Sequence, residues 1–236
     1  MILMPFLKQV VILAGGKGTR MREMTTDLPK PMVSIGDKPV IDHLIEIFEY
    51  FGNFEFVIPT GYLGNIIEEH FKNKENVRVV ETGLDTNTGG RIKKIEDILE
   101  ERFLVTYGDG LANVNINKLI DFHKKNNSIG TMTVTNPVSR FGLVNFNKES
   151  RVESFIEKPK LDGFVNIGFM IFEKNFLKYL NYESTLESKP LAELSKDGEL
   201  YAFKHFGFFE PMDTYREYLN MNKLYNSGNM PWKNFN

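Results

Sequence analysis

The chain has 236 residues, of which 42% are hydrophobic and 25% are charged. This balance is typical of a globular protein, and the length suffices for one large α/β domain. A net charge of -2 provides no basic field that would favour nucleic acid. The absence of cysteine excludes disulfides, thiolate metal sites and cysteine nucleophiles, and it agrees with a reducing compartment.

The sequence gives no sign of export or membrane insertion. Residues 1–7 are apolar but lack the basic region and the cleavage site of a signal peptide. No stretch approaches the roughly 18 consecutive apolar residues that a membrane-spanning helix needs. We therefore expect a cytoplasmic protein that binds neither membranes nor nucleic acids.

The first half of the chain alternates short apolar runs with segments of helical periodicity. The apolar runs predict four strands, at residues 10–13, 54–59, 77–80 and 103–107. The periodic segments predict four helices, one after each strand, at residues 39–50, 63–71, 91–99 and 116–124. This alternation favours a parallel sheet with helices on both faces.

The pattern becomes strand-rich after residue 129. Further strands are predicted at residues 131–135, 142–146, 152–156 and 168–172. No linker, internal repeat or low-complexity segment interrupts the chain, so residues 1–236 are predicted to form one mixed α/β domain. The run 215–225 is apolar enough either to dock on its own domain or to support a homo-oligomer, and the sequence leaves both open.

A glycine-rich stretch, Ala-Gly-Gly-Lys-Gly-Thr-Arg at residues 14–20, directly follows the first predicted strand. Ligands of open α/β sheets bind beyond the carboxyl ends of the strands. Missing side chains let backbone N–H groups approach phosphate oxygens, and the lysine and arginine add positive charge. The stretch is neither a dinucleotide fingerprint, because Met21 stands at its last glycine position, nor a P-loop. It predicts a phosphate-binding turn, with a purely structural turn as the alternative.

Lys30 stands between two prolines, ten residues beyond the glycine-rich stretch. The two prolines restrict the backbone and hold the lysine in one direction. A lysine presented in this way suits the β- or γ-phosphate of a nucleotide, although a solvated surface lysine has the same local sequence.

Residues 13–20 together with residues 29–32 resemble the signature of the sugar-nucleotide pyrophosphorylases. Five further stretches resemble the glucose-1-phosphate cytidylyltransferases of this superfamily, at residues 82–91, 106–110, 157–159, 211–214 and 230–233. The resemblance extends from about residue 9 to residue 233. Within it, the Thr-Gly-Gly-Arg sequence at residues 88–91 favours cytidine over uridine, thymidine or guanosine.

The resemblance implies a Rossmann-like fold and the transfer of a nucleotidyl group from CTP to a phosphorylated small-molecule acceptor, with Mg²⁺ as cofactor. Residues 8–128 would form the nucleotide-binding half, and residues 129–236 the acceptor-binding half with a C-terminal helix. Positions that match the nucleotide-binding residues of the family are Leu13, Ala14, Gly15, Gly16, Lys17, Gly18, Thr19, Arg20, Lys30, Thr88, Gly89, Gly90, Arg91, Gly108 and Asp109.

The resemblance also assigns the acceptor, the metal and the catalytic step. The matching acceptor-binding positions are Tyr107, Glu157, Lys158, Asn166 and Glu187. Asp109 and Asp213 match the two carboxylates that hold magnesium. The residues expected to carry the catalytic step are Arg20, Lys30, Asp109 and Lys158. Because both reactants are anions and the attacking phosphate is already ionised, the step needs positive charge and positioning rather than a strong general base.

The acceptor side departs from the family pattern at two positions, and the segment 160–164 is also unusual for the family. Ile167 replaces a glycine where the backbone approaches the sugar, and Leu186 stands where a bulky aromatic usually precedes Glu187. The isoleucine would either fill acceptor space or point away, so an acceptor other than glucose 1-phosphate stays open. Two wider alternatives also remain: a pyrophosphorylase that uses UTP or dTTP, and a non-catalytic nucleotide-sensing subunit.

Overall fold

The computed structural model describes residues 7–235, with every side chain except those of Arg22 and Glu23. Residues 1–6, on which most of the signal-peptide expectation rests, lie outside the described residues. Within the described part of the chain, no helix combines the length and apolar character that crossing a membrane requires.

Fourteen strands and seven α-helices are present in residues 7–235. The strands are β1 (Gln9–Leu13), β2 (Ser34–Ile35), β3 (Lys38–Pro39), β4 (Glu55–Thr60), β5 (Val77–Glu81), β6 (Arg102–Tyr107), β7 (Gly110–Ala112), β8 (Gly130–Thr135), β9 (Leu143–Phe146), β10 (Val152–Ile156), β11 (Val165–Asn166), β12 (Met170–Glu173), β13 (Leu200–Lys204) and β14 (Phe209–Pro211). The helices are α1 (Arg22–Thr25), α2 (Val40–Glu49), α3 (Gly64–Phe71), α4 (Thr88–Lys94), α5 (Ile116–Asn126), α6 (Lys189–Lys196) and α7 (Tyr215–Asn226).

Eight strands form the central sheet, in the order β11-β8-β12-β6-β1-β4-β5 with β13 paired to β8. The pairs β1–β4, β1–β6, β4–β5 and β8–β13 are parallel, whereas β12 runs antiparallel to both β6 and β8. Strands from both halves of the chain therefore share one sheet. The predicted fold class, a mixed and mostly parallel sheet with helices, is confirmed.

Strand β1 lies in the middle of the sheet and is buried on both faces. Successive side chains of a strand point to opposite faces. Val10 and Ile12 accordingly pack into the hydrophobic cluster that includes Phe48 of α2, whereas Val11 packs into the cluster that includes Ile92 of α4. Residues 10–13 are therefore all apolar, and this makes the run recognisable in the sequence.

The predicted elements of the first half are present, with one shifted helix. Helix α4 begins at Thr88 and ends at Lys94, whereas the periodicity predicted residues 91–99; a 3₁₀ turn at Glu96–Ile98 follows it. Two glycines in its first turn concealed the true start, because glycine is a poor helix former. The packing requires glycine at position 90, because a Cβ there would lie only 2.2 Å from the carbonyl oxygen of Tyr182.

The second half contains elements that the sequence pattern did not predict, namely helix α6 and strands β11, β13 and β14. Strands β9 and β10 were predicted, but they form a separate two-stranded sheet. Strand β12 begins at Met170 rather than at residue 168, because Gly168 and Phe169 have φ angles of 80° and 49° that interrupt the strand.

The C-terminal segment docks on the chain's own domain, which is one of the two alternatives left open for it. Met221 of α7 and Trp232 of the following 3₁₀ turn are completely buried in the main core cluster. The Trp232 ring lies edge-on to His43, with 5.6 Å between the ring centroids. The Tyr225 hydroxyl donates to Asp37 at 2.7 Å.

This docking predicts a large stability effect at Trp232. Trp232→Ala should lower the free energy of unfolding by about 3–5 kcal/mol, because it leaves a cavity in the core. Leu219→Ala, which truncates a half-exposed residue of α7, should change it by about 0.5 kcal/mol or less. Urea denaturation followed by circular dichroism measures both values, and equal losses would contradict the docking.

Candidate functional site

The glycine-rich stretch covers the carboxyl end of β1 and forms one wall of a cavity. The N–H of Gly108 donates to the Leu13 carbonyl at 3.0 Å, which ties the end of β6 to the end of β1. The cavity has a volume of about 230 Å³ and is lined by Leu13, Ala14, Gly16, Gly18, Thr19, Arg20, Lys30, Pro31, Gly108 and Asp109. All of these except Pro31 are predicted nucleotide-binding residues.

Four charged residues meet at this cavity in one ionic cluster. The Lys30 ammonium lies 2.6 Å from Asp109 Oδ2 and 2.6 Å from Asp213 Oδ1. Arg20 Nη1 lies 2.7 Å from Asp213 Oδ2. The structure thus brings together the two predicted metal carboxylates and two of the predicted catalytic cations, although they come from distant parts of the chain.

Burial and the opposite charges act against each other on the pKa values of this cluster. Burial lowers the pKa of Lys30, but the Asp109 charge and the hydrogen bonds to both carboxylates outweigh it, so this pKa is raised overall. Burial raises the pKa of Asp213, but the hydrogen bond and the charge of Lys30 outweigh it, so this pKa is lowered overall. Lys30 and Asp213 therefore both carry charge at neutral pH.

The local backbone positions Lys30 and the two aspartates of the cluster. Lys30 opens the 3₁₀ turn Lys30–Met32, which Pro29 precedes. Asp109 lies between β6 and β7, and its carbonyl accepts from the N–H of Met212 at 2.8 Å, directly before Asp213. The prolines and the β7–β14 pairing therefore determine where the two carboxylates meet the ammonium.

Glu217 holds the backbone of Asp213, and the site predictions did not include it. Its Oε2 accepts from the N–H of Asp213 at 2.7 Å and from the N–H of Thr214 at 2.8 Å. Together with the Thr214 side chain, it forms the capping box at the start of α7. The Thr-x-x-Glu sequence before a helix is a known signal for this arrangement, so the residue could have been found.

The guanidinium of Arg91 lies beneath the glycine-rich stretch and is buried. Its Nη1 donates to the Thr60 carbonyl at 2.6 Å and to Thr82 Oγ1 at 2.7 Å, and its Nη2 donates to the Gly15 carbonyl at 2.9 Å. A Cβ at Gly15 would lie 2.0 Å from the Arg91 Cζ, so this packing requires glycine there. The N–H of a trans peptide points opposite to its C=O, so the N–H of Gly16 points away from Arg91.

The remaining nucleotide-binding predictions have two different surroundings. Lys17 is half-exposed and pairs with Asp85 at 3.1 Å, a partner that no sequence motif indicates. Gly89 and Gly90 pack against the segment 180–184, and the N–H of Gly90 donates to the Ser184 carbonyl at 2.9 Å. Direct contact of Lys17, Gly89 and Gly90 with a nucleotide remains a prediction.

A second hydrogen-bonded group joins three of the predicted acceptor-binding residues next to the ionic cluster. The Tyr107 hydroxyl donates to Glu187 Oε1 at 2.6 Å, and Asn166 Nδ2 donates to the Tyr107 hydroxyl at 3.3 Å. Thr88 Oγ1 donates to Glu187 Oε2 at 2.7 Å. Burial and the charge of Glu187 raise the pKa of Tyr107 far above its ordinary value, so the phenol stays a neutral donor.

Glu157 and Lys158 lie apart from this group in the described contacts. The Lys158 side chain is 55% exposed, and its ammonium lies 3.6 Å from Glu157 Oε1. The Lys158 backbone has a φ of 47°, in the left-handed region. The predicted contact of this lysine with the acceptor phosphate therefore stays a prediction.

The two residues that depart from the family pattern are both core residues. Ile167 is only 4% exposed and belongs to the main core cluster, and Leu186 is completely buried in the second cluster. Of the two possibilities for Ile167, the structure shows that its side chain points into the core.

The donor set fits magnesium. Mg²⁺ is typically held by one or two carboxylates and keeps waters and substrate phosphates as its other ligands. Asp109 and Asp213 lie within hydrogen-bond distance of the same ammonium group, so both would border a cation at that place. Within residues 7–235, no group of three or more histidines and carboxylates forms an alternative metal site.

Comparison with known proteins gives the family. A family model described as nucleotidyl transferase matches residues 9–201. The chain belongs to this family. The predictions of a nucleotidyltransferase and of the sugar-nucleotide pyrophosphorylase superfamily are thereby confirmed.

Two curated nucleotidyltransferases illustrate the similarity. The glucose-1-phosphate cytidylyltransferase of Salmonella typhimurium is 39% identical over 254 residues, which covers 95% of this chain and 98% of the relative. A Bacillus subtilis protein described as "Probable glucose-1-phosphate cytidylyltransferase" is 38% identical over 252 residues, covering 95% of this chain and 99% of the relative.

A solved structure supports the fold in the same way. The crystal structure of HddC from Yersinia pseudotuberculosis superposes with a TM-score of 0.73 at 26% identity. The match covers 92% of this chain and 99% of HddC.

The position of Arg91 predicts a combined loss of stability and nucleotide binding. Arg91→Met should lower the free energy of unfolding by roughly 2–4 kcal/mol, because several buried carbonyls lose their donor. It should also weaken nucleoside triphosphate binding, since the Gly15–Gly16 peptide is no longer held. Chemical denaturation and isothermal titration calorimetry measure the two effects.

Lys17→Met is the matched control for this variant, because Lys17 belongs to the same stretch but is half-exposed. It should weaken triphosphate binding while changing stability by about 0.5 kcal/mol or less. If Arg91→Met behaved like Lys17→Met, Arg91 would act on the nucleotide directly rather than through the loop.

Proposed function

We propose that the chain is a Mg²⁺-dependent cytidylyltransferase that converts CTP and glucose 1-phosphate into CDP-glucose and pyrophosphate. The observation that carries the proposal is the ionic cluster at the glycine-lined cavity, where Lys30 touches both Asp109 and Asp213. The choice of CTP and glucose 1-phosphate is supported by the names of the two relatives, which match this chain over 95% of its length.

The reaction joins two anions. An oxygen of the acceptor phosphate attacks the α-phosphorus of CTP, the bond from that phosphorus to the oxygen bridging to the β-phosphate breaks, and pyrophosphate leaves. Bound Mg²⁺ would neutralise phosphate charge between Asp109 and Asp213. The cations Arg20 and Lys30 would bind the triphosphate, and the stretch at residues 14–20 would hold it in place. Catalysis would then rest on positioning and electrostatic stabilisation.

The second hydrogen-bonded group suits a sugar. Glu187 presents a carboxylate that already accepts from two hydroxyls, those of Tyr107 and Thr88. Sugar hydroxyls offer the same donors, so they could share or replace these bonds. Ile167 and Leu186 are buried, so their side chains provide no argument against a sugar acceptor.

The proposal predicts a preference that a pyrophosphate-release assay measures. With Mg²⁺, the kcat/KM for CTP and glucose 1-phosphate should exceed that of UTP, dTTP or GTP, and of non-sugar phosphate acceptors, by roughly 100-fold. Asp109→Asn should lower kcat by roughly 100-fold or more while the protein stays folded. A higher rate with UTP or dTTP would indicate the alternative pyrophosphorylase. Binding of CTP without release of pyrophosphate from any of the nucleotides would indicate a sensing subunit.

Replacing Glu187 should affect the binding of the acceptor and not that of the nucleotide. Glu187→Gln removes the charge that the Tyr107 and Thr88 hydroxyls contact, and we expect the KM for glucose 1-phosphate to rise roughly tenfold. The KM for CTP should change less than about twofold. Steady-state kinetics with each substrate varied in turn measures both constants.

Glu183→Gln provides the matched control, because it alters an exposed glutamate of the same segment. It should leave both constants unchanged. An equal rise in both KM values for Glu187→Gln would show that the residue supports the site as a whole rather than the acceptor.

A further inference from the structure

Lys30 occupies a position in the ionic cluster that no other described cation shares. Its ammonium contacts one oxygen of each carboxylate at 2.6 Å, whereas Arg20 reaches only Asp213. The Lys30 side chain is 10% exposed, and that of Arg20 is 69% exposed. Lys30 is thus a fixed and largely buried counter-ion to Asp109 and Asp213, while Arg20 lies at the rim.

The formal charges of the cluster balance. Lys30 and Arg20 contribute two positive charges, and Asp109 and Asp213 contribute two negative charges. A divalent cation that approaches these carboxylates therefore meets no net negative charge. It also finds an oxygen of each carboxylate already bonded to the ammonium, and removing this buried partner would cost part of the binding free energy.

A bound triphosphate would change the partners of Lys30 and Arg20. Lys30 and Arg20 line the same cavity as Gly16 and Gly18, so a triphosphate in that cavity would offer them anionic oxygens in place of the carboxylates. The carboxylates would then be released together with their negative charge. The same lysine can pair with the carboxylates or with the phosphates, and this exchange couples the two binding events.

We infer that Lys30 is an internal counter-ion that prevents Asp109 and Asp213 from holding a divalent cation until a nucleotide triphosphate fills the glycine-lined cavity. The inference rests on the proposed function, since it takes these carboxylates as the metal ligands. It adds that Lys30 makes metal binding weak in the nucleotide-free protein. Replacing Lys30 should therefore strengthen metal binding even when no nucleotide is present.

The test measures Mn²⁺ binding to the nucleotide-free protein, by electron paramagnetic resonance of the free ion. Lys30→Met should bind Mn²⁺ at least roughly tenfold more tightly than the unaltered protein, because a charge and a competing donor are removed. Adding Asp213→Asn to Lys30→Met should abolish this gain, which assigns the binding to the cluster. If Lys30→Met melts cooperatively but binds Mn²⁺ no more tightly than the unaltered protein, the inference is wrong.

Two controls separate this role from a general effect of charge. Lys17→Met removes a lysine of the glycine-rich stretch that pairs with Asp85 rather than with Asp109 or Asp213, and it should leave Mn²⁺ affinity unchanged. Lys30→Arg keeps the charge and should also give no gain. A gain with Lys17→Met equal to that of Lys30→Met would contradict the specific role of Lys30.

The unaltered protein provides a measurement that does not depend on the folding of a variant. Its nucleotide-free Kd for Mn²⁺ should lie above about 1 mM, and a tighter site that Asp213→Asn removes would overturn the inference. Failure of the proposed function is distinguishable from this result. A protein that prefers another nucleotide would fail the CTP assay and still show the gain in Lys30→Met.

Discussion

The contact of Lys30 with Asp109 and Asp213 requires the fold to bring two distant carboxylates to one ammonium group in good geometry. Buried ion pairs stabilise a protein only when their geometry is good, because removing charge from water is costly. Here Asp109 comes from the turn between β6 and β7, and Asp213 comes from the loop between β14 and α7. The pairing of β7 with β14 and the bond from the Met212 N–H to the Asp109 carbonyl bring these two places together.

Positive charge is divided between two levels of the site. Arg20 and Lys30 line the cavity, where a phosphate could reach them. Arg91 lies beneath the cavity wall and donates to carbonyl and hydroxyl oxygens at the ends of β4 and β5 as well as to Gly15. A guanidinium can serve in this way because its five donors lie in one plane and reach several acceptors at once. The shape of the glycine-rich stretch thus depends on a residue that does not belong to it.

The sequence was informative wherever burial imposes a clear pattern. Residues 10–13 of β1 are all apolar because both faces of the strand are covered, and β4 and β6 are recognisable for the same reason, since most of their residues are buried. Helix α4 was misplaced because packing against residues 180–184 outweighs the poor helix propensity of its two glycines. Strand β13 was missed because none of its residues is fully buried, its exposed residues do not alternate regularly, and its partner β8 lies far away in the sequence.

In the candidate site, too, some features could be predicted from the sequence and others could not. The members of the ionic cluster were predicted as site residues from the resemblance, because they stand in recognisable motifs, but their pairing with one another was not predicted. Pattern alone could not give the direction of the Ile167 side chain, since the positive φ angles at Gly168 and Phe169 break the alternation of the strand. Nor could it give the partners of Lys17 and Arg91, which depend on how separate loops meet.

The end of β6 explains why the two parts of the site are so close. Tyr107 belongs to the group with Glu187, whereas Asp109 belongs to the ionic cluster with Lys30. Two residues that are two positions apart cannot be separated by more than about 7 Å between their Cα atoms. Nucleotidyl transfer needs the reacting atoms within roughly 3–3.5 Å of each other in the bound state. One strand end that supplies a residue to each group keeps the two groups close through the backbone, and under the proposed function this would hold a sugar phosphate near a nucleotide.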